Sequence, residues 1–67
     1  MKTWVGDPPI KCDICRRLLL KVFVDGRTKA GPWAIMCIVC MELSGTGLGT
    51  GNGQLYVKAG DEWVKEA

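Results

Sequence analysis

Two Cys-x-x-Cys pairs, Cys12 with Cys15 and Cys37 with Cys40, stand 21 residues apart in a chain of 67, and no other feature restricts the fold as much. Cysteines three positions apart on a tight turn can aim both sulfurs at one point, and two such turns surround that point tetrahedrally. The chain between the pairs must then double back. A β-hairpin with a long loop does this across a gap just beyond the roughly 15 to 20 residues common in this pattern.

Size makes the same demand. A chain this short has room for one domain, read as residues 1–67 with 1–10 as an extended N-terminal arm, and its core is too thin to hold the fold without a staple. The four cysteines can supply one as disulfides or as metal ligands. The first ten residues include Asp7, Pro8 and Pro9, with no apolar stretch of signal-peptide length. The most apolar run, Leu18 to Val24, is interrupted by Lys21 and is far shorter than the ~20 residues of a bilayer span. These features predict a cytoplasmic chain without membrane contact, and in that compartment thiols stay reduced and paired cysteines hold metal. Cys12, Cys15, Cys37 and Cys40 are therefore read as the ligands of one structural zinc ion. Thiolates also suit iron in a rubredoxin-like site, so the ligands alone leave the metal open. A thiol redox role for one Cys-x-x-Cys requires a free cysteine of low pKa. Four protein ligands leave no position for a catalytic water, and the chain contains no histidine to act as a general base. The sequence therefore reads as that of a non-enzyme.

The formal charge of +2 falls to zero once four thiolates and a divalent ion are counted, so global charge selects no partner. Local charge is uneven. Lys11, Arg16, Arg17, Lys21, Arg27 and Lys29 lie in one stretch that contains only Asp13 and Asp25 as acids.

Along the chain, Lys2 to Val5 can pair as a short strand before Asp7-Pro8-Pro9 turns it. Leu18 to Val24 is expected to be a strand, Asp25-Gly26 to open a polar loop ending at Gly31-Pro32, and Trp33 to Met36 to return as the second strand of a hairpin. Met41 to Ser44 has the composition of one helical turn, with Gly45 as its cap. Glycine at every second position from Gly45 to Gly53 is incompatible with regular helix and predicts a loop or irregular extended segment. Gln54 to Lys58 and Glu62 to Lys65 flank Ala59-Gly60-Asp61 as a second hairpin. The expected fold is a small β-rich zinc-binding domain with two β-hairpins and at most one short helix after Cys40.

This arrangement resembles zinc-ribbon and treble-clef domains, and a short helix after the second pair leans toward the treble clef. In those families a glycine commonly follows the second cysteine of a turn; here Arg16 and Met41 stand in those places. A further likeness covers roughly residues 12 to 56. Cys12-Asp13-Ile14-Cys15, Phe23-Val24-Asp25-Gly26-Arg27-Thr28, Gly31-Pro32-Trp33-Ala34-Ile35-Met36-Cys37 and Gly47-Leu48-Gly49-Thr50-Gly51, continuing to Gln54 and Tyr56, resemble short proteins encoded by bacteriophages. A histidine is expected there after the last cysteine, where this chain has Met41. The resemblance implies a phage setting, with the host cytosol as location, and brings no activity with it.

The remaining features bear on partners. The six cations can contact phosphates, with Trp33 or Tyr56 as a stacking surface for a base, or they can offset the net charge of a four-thiolate site. Successive glycine N–H groups can form an anion nest, but neither a P-loop nor G-x-G-x-x-G is completed, and close packing or a connector explains them as well. Trp4, Trp33 and Trp63 are expected to cover the metal site and hairpins, or to present an aromatic patch to a protein. The preferred reading is a non-catalytic binding module that contacts a protein or a nucleic acid. A small structural component of a virion or other assembly, with self-association through the arm and closing hairpin, is the alternative.

Overall fold

A computed structural model describes residues 2–66. Strands β1 (Val22–Arg27), β2 (Trp33–Met36), β3 (Gly53–Ala59) and β4 (Glu62–Lys65) form one antiparallel sheet, and helix α1 (Ile38–Ser44) follows β2 directly. The strand order is β2-β1-β3-β4. The two expected hairpins, β1–β2 and β3–β4, are joined edge to edge through β1 and β3, which pair from Val22 with Val57 to Gly26 with Gly53. Among the described residues, no helix is long and apolar enough to cross a membrane.

Successive side chains of a strand point to opposite faces, yet Phe23 and Val24 are both fully buried, so the sheet is covered on both sides at its centre. On one face Phe23 organises an aromatic group. Its ring stacks on Tyr56 at 5.1 Å, and Trp63 and Trp4 meet it edge-on at 4.8 and 5.5 Å. Edge-to-face and offset contacts of this kind follow the ring quadrupoles and add to the area buried. Lys58 lies over Trp63, with its Nζ 5.1 Å from the ring centroid, and closes that face toward solvent. On the other face Val24 stands between Met36 and Leu55 in register. Helix α1 packs against β1 and β2.

Both sheet edges are occupied. Thr3 forms an antiparallel bridge with Val64, and Trp4 N–H donates to Trp63 O at 2.9 Å, so the N-terminal segment lies along β4. The β2 edge is met by Asp13, described below.

The structure corrects three expectations. The first strand begins at Val22, not Leu18, and runs through Asp25-Gly26 to Arg27. Gly26 is a packing glycine, because a Cβ there would stand 2.9 Å from Asn52 O and 3.1 Å from Gly53 Cα. The strand can pass there only without a side chain. The turn falls instead at Thr28 to Pro32, where Thr28 both donates to and accepts around the loop. The helix does not wait until after Cys40. It starts at Ile38, with Cys37 in extended conformation at the N-cap, and Met41 N–H donates to Cys37 O at 2.9 Å. Gly45 does close the helix, but with φ −81°. Its merit is the absence of a Cβ, which would stand 2.7 Å from Met41 O. The expected second hairpin holds, with Ala59 opposite Glu62. Its turn has φ +64° at Gly60, the position where a type II′ turn requires glycine.

Candidate metal centre

The first cysteine turn is the tip of a very small antiparallel ladder. Lys11 bridges Leu18, Leu19 N–H donates to Ile10 O at 2.8 Å, and Cys12 N–H donates to Arg17 O at 2.9 Å. These bonds bring residues 10–12 alongside 17–19 and leave 13–16 to turn. Within the turn, Ile14 N–H donates to Cys12 Sγ at 3.4 Å and Arg16 N–H to Cys12 O at 3.1 Å. Arg16 has φ +65° and is the one non-glycine with positive φ among the described residues. The turn thus keeps the left-handed residue after its second cysteine even though arginine stands where glycine is usual.

The second pair sits where β2 passes into α1. Cys37 is the N-cap and Cys40 lies in the first helical turn, buried. Asp13 joins the two halves. Its N–H donates to Ile35 O at 2.8 Å, and its Oδ2 accepts from Ile35 N–H at 2.9 Å. The first cysteine turn is therefore fastened to the strand that delivers the second pair.

All four sulfurs lie within 4.8 Å of one another, and Cys15 Sγ and Cys37 Sγ are 3.7 Å apart. A regular tetrahedron with metal–sulfur distances near 2.3 Å has edges of about 3.8 Å. The cysteines are free rather than disulfide-bonded, and a sulfur–sulfur bond would require about 2.05 Å. The donor set and its spacing fit one thiolate-bound metal ion. Cys12 is fully buried and Cys15 exposed, so the centre has an inner and an outer side.

The inner thiols respond oppositely to their surroundings. Burial raises Cys12, but the backbone N–H groups of Cys15, Cys37 and Ile14 and the Cys15 thiol outweigh it, and the group falls to about 6. Burial pushes Cys40 up to about 12, aided by thiol hydrogen bonding to the Cys37, Cys12 and Cys15 sulfurs and by the Cys12 charge. In the absence of a cation, the cluster concentrates negative charge on Cys12, where amides neutralise it.

Lys11, Arg16, Arg17, Lys21, Arg27 and Lys29 are all exposed. Lys11, Arg16 and Arg17 flank the first cysteine turn, Lys21 precedes β1, and Arg27 and Lys29 lie at the far end of that strand. They do not form one face around the centre. Trp33 is exposed on β2. Tyr56, read from sequence as a surface for stacking, is buried with its ring against Phe23 and Trp4, so both its neighbours are already aromatic side chains. Trp4 and Trp63 cover the sheet rather than the sulfurs. In the glycine segment, Gly49 N–H donates to Gly53 O at 2.8 Å, and Asn52 and Gly53 N–H both donate to Gly49 O. The segment is a folded turn against the sheet, and Gly53 approaches Gly47 O too closely for a Cβ.

Asp13 was the residue that sequence reasoning passed over. A short acidic side chain inside a Cys-x-x-Cys turn is suited to accepting from a nearby backbone N–H, and that is the signal it carried.

No protein-family model, curated protein or solved structure matches this chain.

Proposed function

We propose that the chain is a non-catalytic binding module of treble-clef type, held by one structural zinc ion on Cys12, Cys15, Cys37 and Cys40. The observation that carries this reading is the convergence of four thiol sulfurs within 4.8 Å. The order of parts supports the treble clef: a cysteine turn, a β-hairpin, then a helix whose N-cap and first turn provide the last two ligands. Zinc is favoured over iron by its preference for closed four-thiolate structural sites. A closed sphere gives the ion no open position for water or substrate, and the absence of histidine removes the usual general base. The resemblance of residues 12 to 56 to short phage-encoded proteins supports an accessory role in an infected host cell. In this reading the metal fixes a scaffold and the exposed surface does the work.

Elemental analysis of protein purified without added metal tests the centre. One zinc per chain and a colourless solution are expected. Iron with visible thiolate-to-metal absorption would change the metal and keep the scaffold, and a folded, metal-free chain would overturn the reading. Pull-down of zinc-loaded protein from infected-cell extract, with and without nuclease, separates protein from nucleic-acid partners.

A further inference from the structure

The metal centre opens onto an apolar trough. Val39 and Leu43, one helical turn apart on α1, are 57% and 70% exposed, and Leu18 and Leu20, between the first cysteine turn and β1, are 59% and 72% exposed. The depression beside Cys15, Cys40 and Leu43 and the one beside Leu18 to Val22 share Arg17, Cys37 and Val39, so they form one continuous surface. Single exposed aliphatics are ordinary, but four large ones lining one trough mark a contact surface. Helix residues four apart face the same way, and Leu19, between the two exposed leucines, points inward and is buried.

The rim has one sign. Arg17 and Lys21 line the trough and no acidic residue does; Arg16 adjoins Arg17. Asp13 is committed to Ile35 N–H. A zinc centre with four thiolates has net charge −2 and Asp13 adds −1, and Lys11, Arg16, Arg17 and Lys21 outnumber them at this end of the molecule.

We propose that this trough docks a short amphipathic protein segment with two or three large aliphatic side chains flanked by Asp or Glu. The proposal rests on the zinc-scaffold reading and names the partner class for it. The aliphatic floor takes the apolar side chains, and Arg17 and Lys21 take the carboxylates at either end of Leu18–Leu20. Nucleic acid fits less well, because its phosphates would match the cations but leave the leucines covered by nothing apolar, and the lining contains no aromatic ring for base stacking. A second copy docked trough to trough would set one cationic rim against another.

The experiment is selection of random 16-residue displayed peptides on immobilised zinc-loaded protein, followed by titration of synthetic winners. Enrichment of peptides that combine Asp or Glu with Leu, Ile or Phe is expected, with binding weakened at least tenfold by Leu20→Ser or Leu43→Ser and several-fold by Lys21→Glu. Leu20 and Leu43 are exposed, so both variants should retain zinc and circular dichroism; peptide loss with zinc retained is the supporting result. Winners without acids, or binding indifferent to Leu20→Ser and Leu43→Ser, would overturn the proposal. So would binding of a single-stranded oligonucleotide in the absence of any peptide binding, or a concentration-dependent dimer that Leu20→Ser abolishes. Zinc content measured on the same samples separates failure of the trough from failure of the scaffold: a folded, metal-free protein sinks the latter whatever the peptides do.

Discussion

Asp13 and Ile35 form a closed two-bond pair across 22 positions of sequence, the N–H of each donating to an oxygen of the other at 2.8 and 2.9 Å. The pair does two things. It ties the first cysteine turn to the strand leading into Cys37, and it occupies backbone groups on the outer edge of β2 that would otherwise be open to pairing with another chain.

Asp13→Ala removes the carboxylate acceptor and leaves Ile35 N–H to water. Because the bond is exposed, the expected loss of stability is about 1 kcal/mol. The expected fall in zinc affinity is about tenfold, as for other residues that orient a metal ligand without touching the ion. Asp13→Asn keeps an acceptor oxygen and should lose less than Asp13→Ala. Competition with a chromophoric chelator reads the affinity, and wild-type affinity in the alanine variant would show that the pair carries no energy.

Arg16 occupies left-handed space at φ +65°. A side chain there costs about 1–2 kcal/mol, whereas glycine adopts the conformation freely but gives up roughly 0.5–1 kcal/mol to its greater freedom when unfolded. The balance favours Arg16→Gly by about 0.5 kcal/mol, seen as a higher denaturation midpoint at saturating zinc. Arg16→Val should lower it, because a β-branched side chain tolerates positive φ least.

The sequence spoke clearly where chemistry or turn geometry was local. The four-cysteine cluster, the β2 and β4 strands, and the Gly60 turn could be read from residue type and spacing alone. The register of β1 could not. Asp25-Gly26 has the composition of a hairpin turn, and only the three-dimensional approach of Asn52 and Gly53 reveals Gly26 as a close contact between the paired backbones of β1 and β3. In the same way residue type predicts the helix only from Met41, because Ile38 and Val39 are β-branched and poor helix formers, yet it starts at Ile38 with Cys37 at the N-cap and α1 packed on the sheet. Gly26→Ala is the corresponding test. It should destabilise by about 1–3 kcal/mol, the usual range for forcing atoms into a filled space, and unchanged stability would mean that Asn52 and Gly53 move aside freely.

Asp25 titrates in the opposite sense from a stabilising carboxylate. Burial between Ile35 and Gln54 raises its pKa, so the fold favours the protonated form over the charged one. The stability linked to that preference is fully present below the unfolded pKa and is lost as pH rises through the folded one. Asp25→Asn, neutral at every pH, should therefore be more stable than the parent at pH 7, and its advantage should vanish in acid. Denaturation midpoints at the two pH values check this; an advantage that grew in acid would reverse the assignment.

A zinc ion held as proposed needs four thiolates, and Cys40, pushed up to about 12 by burial and its sulfur neighbours, holds its proton at neutral pH. Binding has to displace that proton, so affinity should rise with pH across the neutral range. Cys12, lowered to about 6 by the amides that point at it, has already lost its proton at pH 7 and regains it only in more acid solution. Below about 6 the Cys12 proton also enters the exchange, and the dependence of log affinity on pH should steepen there. Calorimetric titration in buffers of differing ionisation enthalpy counts the protons released. On the zinc-scaffold proposal a domain this small draws its stability from the metal, on the order of 10 kcal/mol, so acidification and chelation should unfold it by the same route. Native circular dichroism that persists after verified metal removal would break the link between the four sulfurs and the fold.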